Sequence, residues 1–162
     1  MSRRNEQLSL FAAFQDENVE YVVVGGVAVN LHGFVRNTRD LDLFIRSSLQ
    51  NASAVHRALL KLGVPIDALD PTDLLIDGEH FKLGTPHGEI EILTFIGEIT
   101  FDQVWRNHLQ TEVDGVLVRY ISKQDLIENK RQVARLIDLA DVEELERLSN
   151  SPEPQLPNGS TP

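Results

Sequence analysis

The sequence predicts an α+β fold: a mixed β-sheet with helices packed on it and a helical segment at its C-terminal end. Three observations carry this. A β-branched run, Tyr21-Val22-Val23-Val24, breaks at the pair Gly25-Gly26, as a buried strand does at a sharp turn. Two further apolar runs, Leu41 to Ile45 and Ile90 to Leu93, are interrupted by single acids at strand spacing. From Ser122 onward the apolar residues recur at helical spacing instead.

The elements follow in order. Leu8, Leu10, Phe11, Ala12 and Phe14 give an amphipathic helix over 6–14, closed by Asn18. After the strand at 21–24, a short helix is expected over 27–32, ended by Gly33. A strand at 41–45 leads into a helix over 51–62, with Gly63 as its stop. The stretch 65–78 reads as a loop with a helical turn around 71–75. Runs at 81–83 and 90–93 pair across a turn-rich Gly84-Thr85-Pro86-His87-Gly88. Asp114-Gly115 marks a tight hairpin between 112–113 and 116–120. Ser122, with Asp125 three residues on, opens a helix to about Leu136, and a second helix covers 138–148. Residues 1–148 are expected to form one domain, with the helical segment at 122–148. The Pro-, Ser- and Asn-rich residues 149–162 have little to bury and are expected to be a disordered tail.

Composition narrows the function. No apolar run is long enough for a membrane helix, and the opening Met1-Ser2-Arg3-Arg4-Asn5-Glu6 lacks a signal-peptide pattern, so no membrane association is expected. The 162 residues include no cysteine, which excludes disulfides and thiolate chemistry; the expected compartment is the cytoplasm. A formal charge of −10 argues against broad duplex-DNA binding, which depends on neutralising phosphates.

The chemistry centres on residues 25–42. Side chains two apart on a strand share a face, so Asp40 and Asp42 point together while Leu41, Leu43 and Ile45 face a core. Two adjacent carboxylates repel unless a cation lies between them, and hard oxygen donors suit Mg²⁺ or Mn²⁺. The bland alternative is a pair of solvated acids at the start of a strand. A diglycine between strand and helix exposes backbone amides that favour phosphate oxygens, or is simply a turn. A two-metal site calls for a further acid from a neighbouring strand. Glu89 and Glu91 share a face of the 88–93 run, and Glu91, deeper in the apolar stretch, is the better candidate. Arg36 and Thr38 have two readings, orienting phosphate or bracing the loop before Asp40. Without further context Lys130 and Arg135 read as solvated helix residues, the five histidines as structural or surface, and Trp105 as packing.

The pattern Gly25-Gly26 followed by Arg36-x-Thr38-x-Asp40-x-Asp42 resembles the nucleotidyltransferase superfamily, the polymerase-beta-like fold. Within it the chain is most similar to the small bacterial AbiEii-like and toxin–antitoxin-related group. Its C-terminal part, Ile121-Ser122-x-x-Asp125-Leu126-Ile127-x-x-Lys130 and Arg135-x-x-Asp138-Leu139-x-Asp141, resembles that group's helical segment. The resemblance covers residues 5–148. It implies transfer of a nucleoside monophosphate from an NTP to an acceptor: Gly25 and Gly26 hold the triphosphate, Asp40, Asp42 and Glu91 bind Mg²⁺ or Mn²⁺, and Lys130 contacts phosphates or acceptor. Arg36 and Thr38 join the nucleotide-binding set. The third acid is usually Asp in the family, so Glu91 is a departure. The acceptors the resemblance suggests are a tRNA end, a partner protein such as a toxin, or a small molecule such as an aminoglycoside; the short chain favours a macromolecule. The competing expectation is a non-catalytic, antitoxin-like interaction protein of the same fold.

Overall fold

Six strands form one sheet in the order His80–Thr85, Gly88–Leu93, Asp40–Ile45, Tyr21–Val24, Val116–Tyr120, Leu109–Val113, in a computed structural model that describes residues 1–76 and 78–150. The chain runs α1 (Arg3–Asp16), β1 (Tyr21–Val24), α2 (Gly25–Leu31), β2 (Asp40–Ile45), α3 (Leu49–Lys61), a 3₁₀ turn (Pro71–Leu75), β3 (His80–Thr85) and β4 (Gly88–Leu93). It continues through α4 (Phe101–Asn107), β5 (Leu109–Val113), β6 (Val116–Tyr120), α5 (Lys123–Val133) and α6 (Leu136–Asn150). The expected tail begins two residues inside α6; residues 151–162 of it lie outside the described residues.

The sheet is mixed, as its sequence predicts. β1 and β2 are antiparallel, whereas β2 runs parallel to β4 and β1 parallel to β6. All four residues of β1 are buried, because this strand lies in the middle of the sheet. In β2 only Asp40 and Asp42 escape full burial. Tyr21, Phe14, Phe44, Leu41, Leu43 and Ile92 form the fully buried centre. Each side chain of this size contributes on the order of 1.5–3 kcal/mol by leaving water. Phe11 stacks on Tyr21 at 5.7 Å and Phe14 meets the same ring edge-on, which seats α1 against the sheet.

The structure corrects several boundaries. The short second helix begins at Gly25 and Gly26, not at 27, so the diglycine forms its first turn. The helix opening at Ser122 ends at Val133, because Ala134 takes a left-handed cap at φ 56°. Asp138 then accepts a hydrogen bond from the Arg135 amide, half of a capping box at the start of α6. The pattern Ser122-x-x-Asp125 forms only half a box as well. Ser122 accepts from the Asp125 amide, while the buried Asp125 carboxylate accepts from Gln103 and Asn107 and ties α5 to α4. Helix α4 itself is an addition to the sequence reading. Its signal was Thr100-x-x-Gln103, where the threonine hydroxyl accepts from the Gln103 amide.

Candidate active site

Strand register builds the site. β2 and β4 pair in parallel with Asp40 opposite Glu89 and Asp42 opposite Glu91. Because alternate residues share a face, four acids line one side of the two strands. The strands open onto a cleft of about 570 Å³ that receives Asp40, Asp42 and Glu91 but not Glu89. Glu89 turns outward, 41% exposed and within 3.6 Å of Lys82, whereas the Glu91 side chain is 17% exposed. Register makes both glutamates candidates, and burial separates them in favour of Glu91.

Asp42 is the most perturbed group in the cleft. Burial raises its pKa, and the neighbouring Glu91 and Asp40 carboxylates raise it further, to about 7. Its Oδ1 is buried with no hydrogen-bond partner. A buried carboxylate oxygen without a donor, beside two more acids, matches the hard-oxygen chemistry of Mg²⁺ or Mn²⁺. The side chains do not form a finished cage: among the described residues, no three His, Cys, Asp or Glu side chains gather around a common point. Glu91 instead lies 3.1 Å from His80 Nδ1. The donor types and the register therefore fit a divalent ion, while three-point ligation requires the acids to turn from these rotamers.

The diglycine has a packing role of its own. Gly25 sits at φ +65°, and a Cβ there would fall 2.0 Å from Asp42 Oδ2. A side chain at Gly25 and an aspartate at this position therefore exclude each other. A Cβ on Gly26 would meet Thr38 Oγ1 at 2.8 Å and Arg36 Nη2 at 3.2 Å. Gly25 borders the cleft, while Gly26 faces the loop that carries Arg36 and Thr38.

That loop is held by an ionic network. Arg36 donates from Nε and Nη2 to the two carboxylate oxygens of Asp141, each at 2.8 Å. Lys130 Nζ lies 2.9 Å from the same Asp141 and 3.3 Å from Asp138, and Arg135 closes the chain at 2.7 Å from Asp138. Burial pushes the Asp138 carboxyl up, but Arg135 and Lys130 more than offset it and leave its pKa below the ordinary value. Lys130 is buried, not a solvated helix residue, and it lines the cleft. Thr38 donates to the Asp40 carbonyl at 3.3 Å. Of the two readings for Arg36 and Thr38, these bonds favour bracing; the pair opens to a separate depression shared with Arg3 and Arg4.

The structure thus gathers Gly25, Asp40, Asp42, Glu91 and Lys130 in one cleft and leaves Gly26, Arg36 and Thr38 behind its wall. It adds His80, Asp138 and, through Lys130, Asp141. His80 carried no signal in the sequence, because only the β3–β4 hairpin brings it beside Glu91. Trp105 is a packing residue as expected, stacked on Phe101 at 5.7 Å.

No protein-family model matches the sequence, and neither does any curated protein. Solved structures do. The lincosamide antibiotic adenylyltransferase LnuA, bound to lincomycin, superposes with a TM-score of 0.61 at 17% identity, over 90% of this chain and 97% of its own. A proposed nucleotidyltransferase from Thermotoga maritima gives 0.61 at 14% identity over 91% and 96% of the two chains. The antibiotic-resistance factor ANT(2'')-Ia gives 0.60 at 15% identity over 92% and 84%. At such identities the likeness is one of fold.

Proposed function

We propose that this chain, which has the α+β nucleotidyltransferase fold, is a divalent-metal-dependent nucleotidyltransferase that moves a nucleoside monophosphate from an NTP to an acceptor. The observation that carries this reading is the parallel register of β2 and β4, which aligns Asp42 with Glu91 at the floor of a cleft where a buried carboxylate oxygen lacks a donor. Asp40, Asp42 and Glu91 would hold Mg²⁺ or Mn²⁺. When bound, the metal supplies charge neutralisation at the transferring phosphoryl group.

In the reaction, the acceptor oxygen bonds to the α-phosphorus as the α–β bridging bond breaks. Pyrophosphate leaves with the electron pair, and the acceptor proton passes to solvent. Gly25 keeps the turn beside Asp42 free of a side chain so that phosphate can approach. Lys130 presents its ammonium to the developing negative charge while Asp138 and Asp141 hold it in place. Arg36 and Thr38 keep the loop before Asp40 in position, and Gly26 admits that loop against α2.

A tRNA end or a partner protein, such as one of a toxin–antitoxin pair, remains the acceptor class drawn from the sequence. A second acceptor class has a specific observation in its favour. This chain spans 97% of LnuA, so its length does not call for a macromolecular acceptor. The test is to incubate the full chain with each labelled NTP and Mg²⁺ or Mn²⁺. A host lysate is the acceptor in one arm, and a panel of small hydroxyl-bearing antibiotics in the other. Label transfer that Asp42→Asn abolishes supports the proposal. Nucleotide binding without transfer in either arm favours the interaction protein, and no nucleotide binding even with Mn²⁺ removes the enzymatic reading.

Among the described residues no helix is long and apolar enough to cross a membrane. The cytoplasm is the compartment we propose.

A further inference from the structure

Phe95 is a large aromatic ring left half exposed on the rim of the acidic cleft, at 50% of its free surface. The segment that carries it is fastened on both sides. Before it, the buried Thr94 donates its hydroxyl toward the carbonyls of Ile76 and Glu79, at 3.1 and 3.2 Å. After it, Asn129 donates to the Ile96 carbonyl at 2.6 Å, and the Glu98 amide donates to Gln132 Oε1 at 3.1 Å. Ile96 bridges Ile99 across a turn in which Gly97 takes φ +91°. These hydrogen bonds and a tight turn thus fix the backbone beneath a half-exposed ring. Val133 at the end of α5, also half exposed, lines the same cleft, one residue beyond the Gln132 that holds the loop.

The lining of the cleft thus combines charged groups, among them Asp40, Asp42, Glu91 and Lys130, with the apolar side chains of Phe95 and Val133. A nucleoside triphosphate pairs the same two chemistries: charged phosphates and one flat, apolar-faced base. A half-exposed aromatic ring on a fastened backbone suits stacking, because every base offers a π face and the ring has few side-chain torsions to lose on binding. Resting on the nucleotidyltransferase reading of this cleft, we propose that Phe95 is the nucleobase platform, with Val133 as a further apolar contact. Stacking accepts any base, so the platform itself does not select among the NTPs.

The experiment measures binding of ATP, GTP, CTP and UTP, and of inorganic tripolyphosphate, to the full chain in Mn²⁺. The wild type is compared with Phe95→Ala, Phe95→Leu and Phe95→Trp. Nucleotide affinity falls about tenfold in Phe95→Ala and partly in Phe95→Leu, while Phe95→Trp keeps it and shows quenched indole fluorescence on binding. Tripolyphosphate affinity stays the same in all four proteins. Unchanged nucleotide affinity in a folded Phe95→Ala overturns the platform and leaves the enzymatic reading standing, as does an equal loss for tripolyphosphate. If Phe95→Ala changes only the acceptor KM, the ring serves the acceptor and the proposal is also overturned. A wild type that binds neither nucleotide nor tripolyphosphate overturns both readings together.

Discussion

Arg36 and Asp141, 105 residues apart, form a two-pronged ion pair at 2.8 Å on each prong, with the Asp141 side chain 1% exposed. The planar guanidinium matches the carboxylate edge to edge. Lys130 joins from a third element, so one buried carboxylate holds together the loop before β2, helix α5 and helix α6. Removing it leaves two cations facing each other in a site that water reaches poorly. Asp141→Asn should therefore cost about 3 kcal/mol of unfolding free energy, read from urea denaturation. A change below about 0.5 kcal/mol would show that the network forms at no net gain and that α6 docks by apolar packing alone.

The raised pKa of Asp42 makes a pH prediction with a definite sign. From the ordinary 3.8 it rises to about 7, so between those values the folded state holds a proton that the unfolded chain has released. Stability then falls as pH rises through this window, and the contribution is fully lost above 7. In chelator, the wild type should lose urea resistance between pH 5 and 8, and Asp42→Asn should flatten this slope and be the more stable protein at pH 8. Parallel slopes in the two proteins would assign the pH dependence to other groups.

Gly25 and Asp42 should be energetically coupled. Gly25→Ala places a methyl where Asp42 Oδ2 sits and forces a left-handed alanine as well. In an Asp42→Ala background the clash with the carboxylate disappears, leaving a tight 3.1 Å contact with the Cβ of residue 42 and the left-handed backbone cost of about 1–2 kcal/mol. A double-mutant cycle should thus show strong non-additivity, with Gly25→Ala several times more costly in the wild type. Gly26→Ala should be milder, since its φ is not left-handed and its shortest contact, to Thr38 Oγ1, is 2.8 Å against 2.0 Å at Gly25. Additive costs at 25 and 42 would mean that the turn relaxes away from the strand.

Mn²⁺ should raise the melting temperature of the wild type, because an ion that binds only the folded state stabilises it by mass action. Glu91→Gln should abolish that rise, whereas Glu89→Gln, on the outward-turned acid, should leave it in place. The opposite pattern would move the third ligand to Glu89.

Local chemistry made much of this protein legible. Periodicity placed β1, β2, the β3–β4 hairpin and α3, and Asp114-Gly115 announced its hairpin, since side-chain alternation and turn conformations are short-range properties. The same reasoning put Asp40 and Asp42 on one face and picked out Glu91. Strand pairing was not local. Only the parallel register of β2 with β4 brings Glu91 beside Asp42, and only the antiparallel register of β3 with β4 brings His80 beside Glu91; a register one residue away would turn those side chains to the other face. The roles of Arg36 and Lys130 lay further still from the sequence. Their partner Asp141 is fixed by how α6 packs, and whether a basic residue is solvated or buried depends on which helix covers it. Sequence by itself determined most of the elements, α4 excepted, and the acidic face, because those follow from residues within a few positions of one another. Tertiary structure decided which acids meet, which cations are engaged and where the exposed ring of Phe95 stands, because each depends on contacts between segments far apart in the chain.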